Sequence, residues 1–117
     1  MDLDNAIKVH GEWKLKLRTA ISAKEQLDAP SIAADNVCPF GKWLHGPARN
    51  QYGHLKSYAT CLERHKLFHL EAGKVATAIN AGKYQEATAM LDGGTPYASA
   101  SSAVGGAILG LRKEANL

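Results

Sequence analysis

The stretch "LKSYATCLERHKLFHLEAGKVATAINAG", residues 55–82, decides the fold. Leu55, Tyr58, Leu62, His65, His69, Ala72, Ala76 and Ile79 recur at steps of three and four, which places them on one face of an α-helix. The pattern extends back to about Ala48 without a break and stops at Gly82, predicting one helix over about 48–80. Its length would be roughly 45 Å at about 1.5 Å per residue.

Working outward, the same spacing marks two more long helices. Toward the N-terminus, small or apolar residues recur at 3, 6, 10, 13, 17, 20 or 21, and 27, with His10 in one slot and a stop near Ala29-Pro30. Toward the C-terminus, Thr95-Pro96 supplies an N-cap and a first position for a helix with stripe Tyr97, Ala100, Val104, Ile108 and Leu111. Two short helices complete the set, one beginning at Cys38-Pro39 and closed by Gly46-Pro47, the other over "KYQEATAML". Residues 30 to 36 read as a loop. The fold class is all-α, a four-helix-bundle-like arrangement of three long and two short helices, with residues 1–117 forming a single domain.

Composition narrows the function. The net charge of +3 comes from basic residues scattered over "KLKLR", "GKW", "RNQ" and "ERHK", with no stripe suited to nucleic acid. The start, "MDLDN", is acidic and unlike a signal peptide, and the longest apolar run, "AVGGAILGL", is too short to cross a bilayer. Two cysteines are too few for a disulfide framework. A soluble protein of a reducing cytoplasm is expected, with no nucleic-acid partner and no membrane insertion.

The histidines carry the chemistry. His10, His65 and His69 lie inside the apolar stripes of two helices, where a bundle normally places leucine. A buried ring without a partner costs about 1–3 kcal/mol, so three such rings need a reason. His65 and His69, at i and i+4, project from one face and can share an ion, and His10 brings a third nitrogen if its helix packs alongside. Zinc, which favours nitrogen and sulfur in tetrahedral geometry, then asks for one more ligand. Cys38, at the start of a short helix whose amides favour a thiolate, can supply it. A buried structural thiol is the competing reading of Cys38, and Cys61, one turn before His65, is a rival ligand that would surround an ion less well. His45 and His54 follow loop signals and read as exposed. Trp13, Phe40, Trp43 and Phe68 sit close to the proposed ligands in sequence and could wall a metal from water or simply fill the core.

His10 with Trp13, then "CPFGKWL", "HKLFH" and "GGTPYASASSAVGGAI" together resemble the chemoreceptor zinc-binding (CZB) domain over about residues 5 to 113. The resemblance implies a bacterial cytoplasmic helical bundle holding zinc through His10, Cys38, His65 and His69. It further implies a sensor domain that controls a chemotaxis receptor or diguanylate cyclase output, with Cys38 as the redox switch toward hypochlorous acid. Cys61 is outside the family pattern. The chain is accordingly expected to regulate rather than catalyse. A zinc hydrolase would need an open water position beside three histidines and a general base, and Glu63 and Glu71 do not share the ligand face. A metal-free helical module for partner binding is a third reading, under which the histidines are only core. The small-residue run "ASASSAVGGAILG" offers a flat face for a two-fold homodimer.

Overall fold

A computed structural model describes all 117 residues, and every regular element in it is helical. Seven helices follow in order: α1 (Leu3–Ala23), α2 (Ala29–Ala33), α3 (Pro39–His45), α4 (Pro47–Tyr52), α5 (Lys56–Asn80), α6 (Tyr84–Met90) and α7 (Pro96–Glu114). The three long helices α1, α5 and α7 form the body. α5 packs most extensively against α7, α1 lies on α7, and α2 crosses α5. No helix is long and apolar enough to cross a membrane.

The core follows the stripes. Leu17 and Ala20 of α1, Phe68, Ala72, Val75 and Ile79 of α5, and all five stripe residues of α7 are buried in one apolar cluster. α7 begins as its sequence predicts, with the Thr95 hydroxyl accepting from the Ala98 amide at 3.2 Å. Arg112 in its last turn reaches back to Asp4 in the first turn of α1, at 3.2 Å.

The all-α bundle stands, but four short helices accompany the long ones instead of two. The continuous helix expected from Ala48 divides at Gly53-His54-Leu55 into α4 and α5. Glycine weakens a helix interior, and here an added Cβ at Gly53 would lie 2.4 Å from the Arg49 carbonyl oxygen. α1 ends four residues before Leu27, because Lys24 adopts a left-handed φ of 53° and turns its amide back to the last turn. Leu27 is then held by the Asn80 side chain, which accepts from its amide at 2.8 Å and donates to its carbonyl at 2.8 Å. α2 occupies part of the expected loop. Asp28 caps it and Pro30 lies in its first turn, so the proline that reads as a stop for α1 is a start for α2.

α2 comes close to α5 because residue 73 is glycine. A Cβ there would lie 2.5 Å from the Ala33 Cβ, so any larger residue would push α2 away. This contact brings the main chain of α2 over His69.

Candidate metal centre

Three elements deliver four side chains to one point between α1, α3 and α5. His10 comes from α1, Cys38 is the N-cap of α3, and His65 and His69 are one turn apart on α5. His65 Nε2 lies 3.1 Å from His10 Nε2 and 3.0 Å from His69 Nε2. Cys38 Sγ lies 3.4 Å from His65 Nε2 and 3.6 Å from His69 Nε2. All four donor atoms fall within 4.8 Å of one another.

These separations can be tested against zinc. With Zn–N near 2.05 Å and Zn–S near 2.3 Å, a regular tetrahedron has edges of about 3.3 Å between nitrogens and about 3.6 Å from sulfur to nitrogen. The four edges given above differ from those values by at most a few tenths of an ångström, and the two from His10 to Cys38 and to His69 lie within 4.8 Å.

The hydrogen bonding gives a second, independent test. His10 Nδ1 donates to the Ala6 carbonyl at 2.7 Å, and His69 Nδ1 donates to the Ile32 carbonyl at 2.9 Å. A neutral imidazole that donates from Nδ1 carries a lone pair on Nε2, so both rings aim lone pairs at His65 Nε2. One proton on His65 Nε2 satisfies only one of them. Placed on His65 Nδ1, the proton is buried without a partner. With the Cys38 thiol, 3.6 Å from His69 Nε2, as a second donor, both lone pairs can be met by protons while His65 Nδ1 stays an unpartnered acceptor, whereas one cation takes all the lone pairs together. Main-chain carbonyls holding the outer nitrogens are the usual means of fixing the tautomer of a ligating histidine.

Burial keeps the rings neutral. His65, fully buried, has its pKa lowered to about 2, first by loss of solvent and then by the neighbouring His69, His10 and His45. His10 and His69 are lowered chiefly by the same loss of solvent, partly offset by their carbonyl partners Ala6 and Ile32. Cys38 departs from the sequence reading. Its Sγ accepts from the Gly41 amide at 3.2 Å as an N-cap should, yet burial outweighs the helix amides and raises the thiol pKa. A thiolate here therefore depends on the cation more than on the helix.

Phe40 and Phe68 enclose the cluster edge-on, Phe40 at 5.0 Å from His65 and Phe68 at 5.4 Å from His10, ring centre to ring centre. Trp13 and Trp43 are only half-buried, and Trp43 stacks behind Phe40 at 5.8 Å. Cys61 is completely buried in the apolar core, apart from the cluster, with its thiol pushed up to about 12 by burial. His54 is exposed, but His45 is not free as its sequence context predicts. Its Nε2 lies 2.9 Å from Asp35, tying the end of α3 to the segment before it. Sequence reading missed Asp35, Ile32 and Ala6. Ile32 was legible only through α2, whose start at Asp28 and Pro30 was the available signal.

Gly41 is what lets α3 seat itself. An added Cβ would stand 2.0 Å from the Asp35 carbonyl oxygen and 3.2 Å from His65 Cε1. Because the nearest obstacle is main chain, Gly41→Ala is expected to displace α3 and cost about 1–3 kcal/mol, as overpacking does. Thermal unfolding with zinc and with chelator checks it; an unchanged melting temperature in zinc would show that α3 gives way freely.

Comparison with protein families matches the chemoreceptor zinc-binding domain over residues 10–76, more than half of the chain. The chain belongs to the CZB family. The matched span begins at His10 and includes Cys38, His65 and His69. CZB is a zinc-binding domain, and the cluster described above is able to hold the ion. Neither the curated proteins nor the solved structures give a match to this chain.

Proposed function

We propose that residues 1–117 form a single zinc-binding sensor domain of bacterial cytoplasm, with His10, Cys38, His65 and His69 as the four ligands. The convergence of three Nε2 atoms and one Sγ, with four of their separations near those of a zinc tetrahedron, carries this reading. With sulfur at the fourth corner, no position remains for the water that a zinc hydrolase activates, which favours regulation over catalysis. Glu71, the buried carboxylate of α5, is engaged by Lys74 at 2.8 Å. The family's description points to a chemoreceptor-type parent, so the domain would control a chemotaxis or diguanylate cyclase output attached to it.

Cys38 would be the switch. The thiolate sulfur attacks the chlorine of hypochlorous acid, forming S–Cl as the Cl–O bond breaks and hydroxide leaves. Water then displaces chloride to give sulfenic acid and a proton, so sulfur has lost two electrons to chlorine. The neutral product is a poorer ligand. α3, seven residues long, would lose its tie to α5 and change the packing presented to the output. X-ray absorption of the zinc protein should show one sulfur and three nitrogens, and chemical trapping after oxidant should label Cys38. A first shell without sulfur removes Cys38 from the site; a label on Cys61 with Cys38 still ligated ends the switch.

A homodimer through α7 belongs to the same proposal. Gly105, Gly106 and Gly110 lie within the helix, and a Cβ at any of them would meet nothing within 4 Å. Each costs roughly 0.5–1 kcal/mol relative to alanine, with no compensating contact inside the chain, while Leu109 beside them is 38 % exposed. A second copy packing closely on this face accounts for both. Light scattering should give twice the chain mass, and Gly106→Leu should shift it toward monomer; a monomer mass over a wide concentration range counts against the dimer.

A further inference from the structure

His10, His65 and His69 are at most 3 % exposed, whereas Cys38 is half-buried, so Cys38 is the residue of the cluster most open to solvent. Beside it lies a cavity of about 80 Å³ between the first turns of α1 and the start of α3. Asn5, Val9, Trp13 and Pro39 line it, as do His10 and Cys38; His65 and His69 do not. Water takes about 30 Å³ per molecule in the liquid, so the cavity holds a solute of only a few heavy atoms. Its walls are largely apolar, so a charged solute loses hydration on entering.

We propose that this cavity is the port through which reagents reach Cys38, with Val9 and Trp13 as the specificity-determining residues that admit small neutral oxidants and exclude larger or anionic ones. The proposal rests on the reading of Cys38 as the reactive ligand. It places the selectivity of the sensor in the approach to the sulfur, in addition to the reactivity of the sulfur itself. A tripeptide thiol is too large for the same passage, so the oxidised state would persist until α3 moves.

The test compares hypochlorous acid with N-chlorotaurine on the zinc-loaded chain. Both transfer chlorine to a thiolate by the same two-electron change, with hydroxide or the taurine nitrogen leaving, but the second is larger and anionic. Each rate at Cys38, mapped by mass spectrometry, is divided by the rate of the same reagent with Cys38 in the unfolded chain. The quotient for N-chlorotaurine should be at least tenfold lower. Val9→Trp, which fills the port, should slow hypochlorous acid at least tenfold with zinc content unchanged, and Trp13→Ala should speed N-chlorotaurine. Equal quotients, or an unaltered rate in Val9→Trp, overturn the port; if Val9→Trp does not fold, Val9→Phe serves in its place. X-ray absorption on the same samples keeps the two ideas apart, since a shell without sulfur sinks the ligand assignment while the rate quotients still judge the port.

Discussion

Replacing His65 is expected to weaken zinc binding by on the order of a hundredfold or more and, when leucine takes its place, to change the stability of the zinc-free chain far less. His65 Nε2 is the hub of the cluster, within 3.4 Å of the donor atoms of His10, His69 and Cys38. Structural zinc sites bind with roughly 10–16 kcal/mol, so one ligand of four is worth about 3 kcal/mol, or about two decades in affinity. The small effect without zinc follows from two changes that offset each other. Leucine removes an Nδ1 that is buried with no hydrogen bond while keeping similar volume, which relieves on the order of 1–3 kcal/mol, but it also takes away the Nε2 group that the lone pairs of His10 and His69 face. Competition titration against a chromogenic chelator measures the first effect, and thermal unfolding in chelator the second. A His65→Leu chain that binds zinc like the parent would remove His65 from the ligand set.

Acid is expected to destabilise the zinc-free domain steeply as pH falls below about 6.5, the ordinary histidine pKa. The folded-state pKa values of His10, His65 and His69 are all depressed, that of His65 to about 2, with burial as the largest cause in each. Between the unfolded value and those lower values each ring takes up its proton only when the chain unfolds. The contribution of the neutral rings is complete above the unfolded pKa and is lost as pH drops. Each ring contributes up to about 1.4 kcal/mol per pH unit over the interval in which it stays unprotonated in the folded chain. Urea unfolding at pH 7.5, 6.5 and 5.5 in chelator measures it. Equal stability at the three values would mean that the rings are hydrated and that the cluster is looser than the distances indicate.

How much of this was legible beforehand varies with the kind of signal. The stripes of α5 and α7 could be read because burial of an apolar face leaves a periodic trace in residue type, and His10, His65 and His69 stood out as polar residues within it. The break at Gly53 was visible as a glycine but outweighed by the pattern around it. The end of α1 was not visible at all, since a lysine in left-handed conformation at Lys24 has no compositional signature. α2 was hidden because Pro30 serves equally as a stop and a start. At the centre, the groups that orient His10 and His69 are the carbonyls of Ala6 and Ile32, which any residue could provide. His45 illustrates the same limit from the other side. Its context in the chain suggests solvent, while Asp35, ten residues earlier, occupies it.

The double hydrogen bond between Asn80 and the Leu27 main chain has a consequence for how the domain comes apart. It joins Leu27, four residues beyond α1, to the last residue of α5, so the chain that leaves at Leu27 and returns at Leu55 is an excursion from a scaffold already closed behind it. That excursion contains α2, α3 and α4, none longer than seven residues, and gives only Phe40, Leu44 and Ala48 to the apolar core, most of which comes from α1, α5 and α7. Such a division is what separates cooperative unfolding units within one domain. The cover over the histidines can detach as a foldon, exposing its amides to exchange, while the three-helix scaffold beneath keeps its register and receives it back.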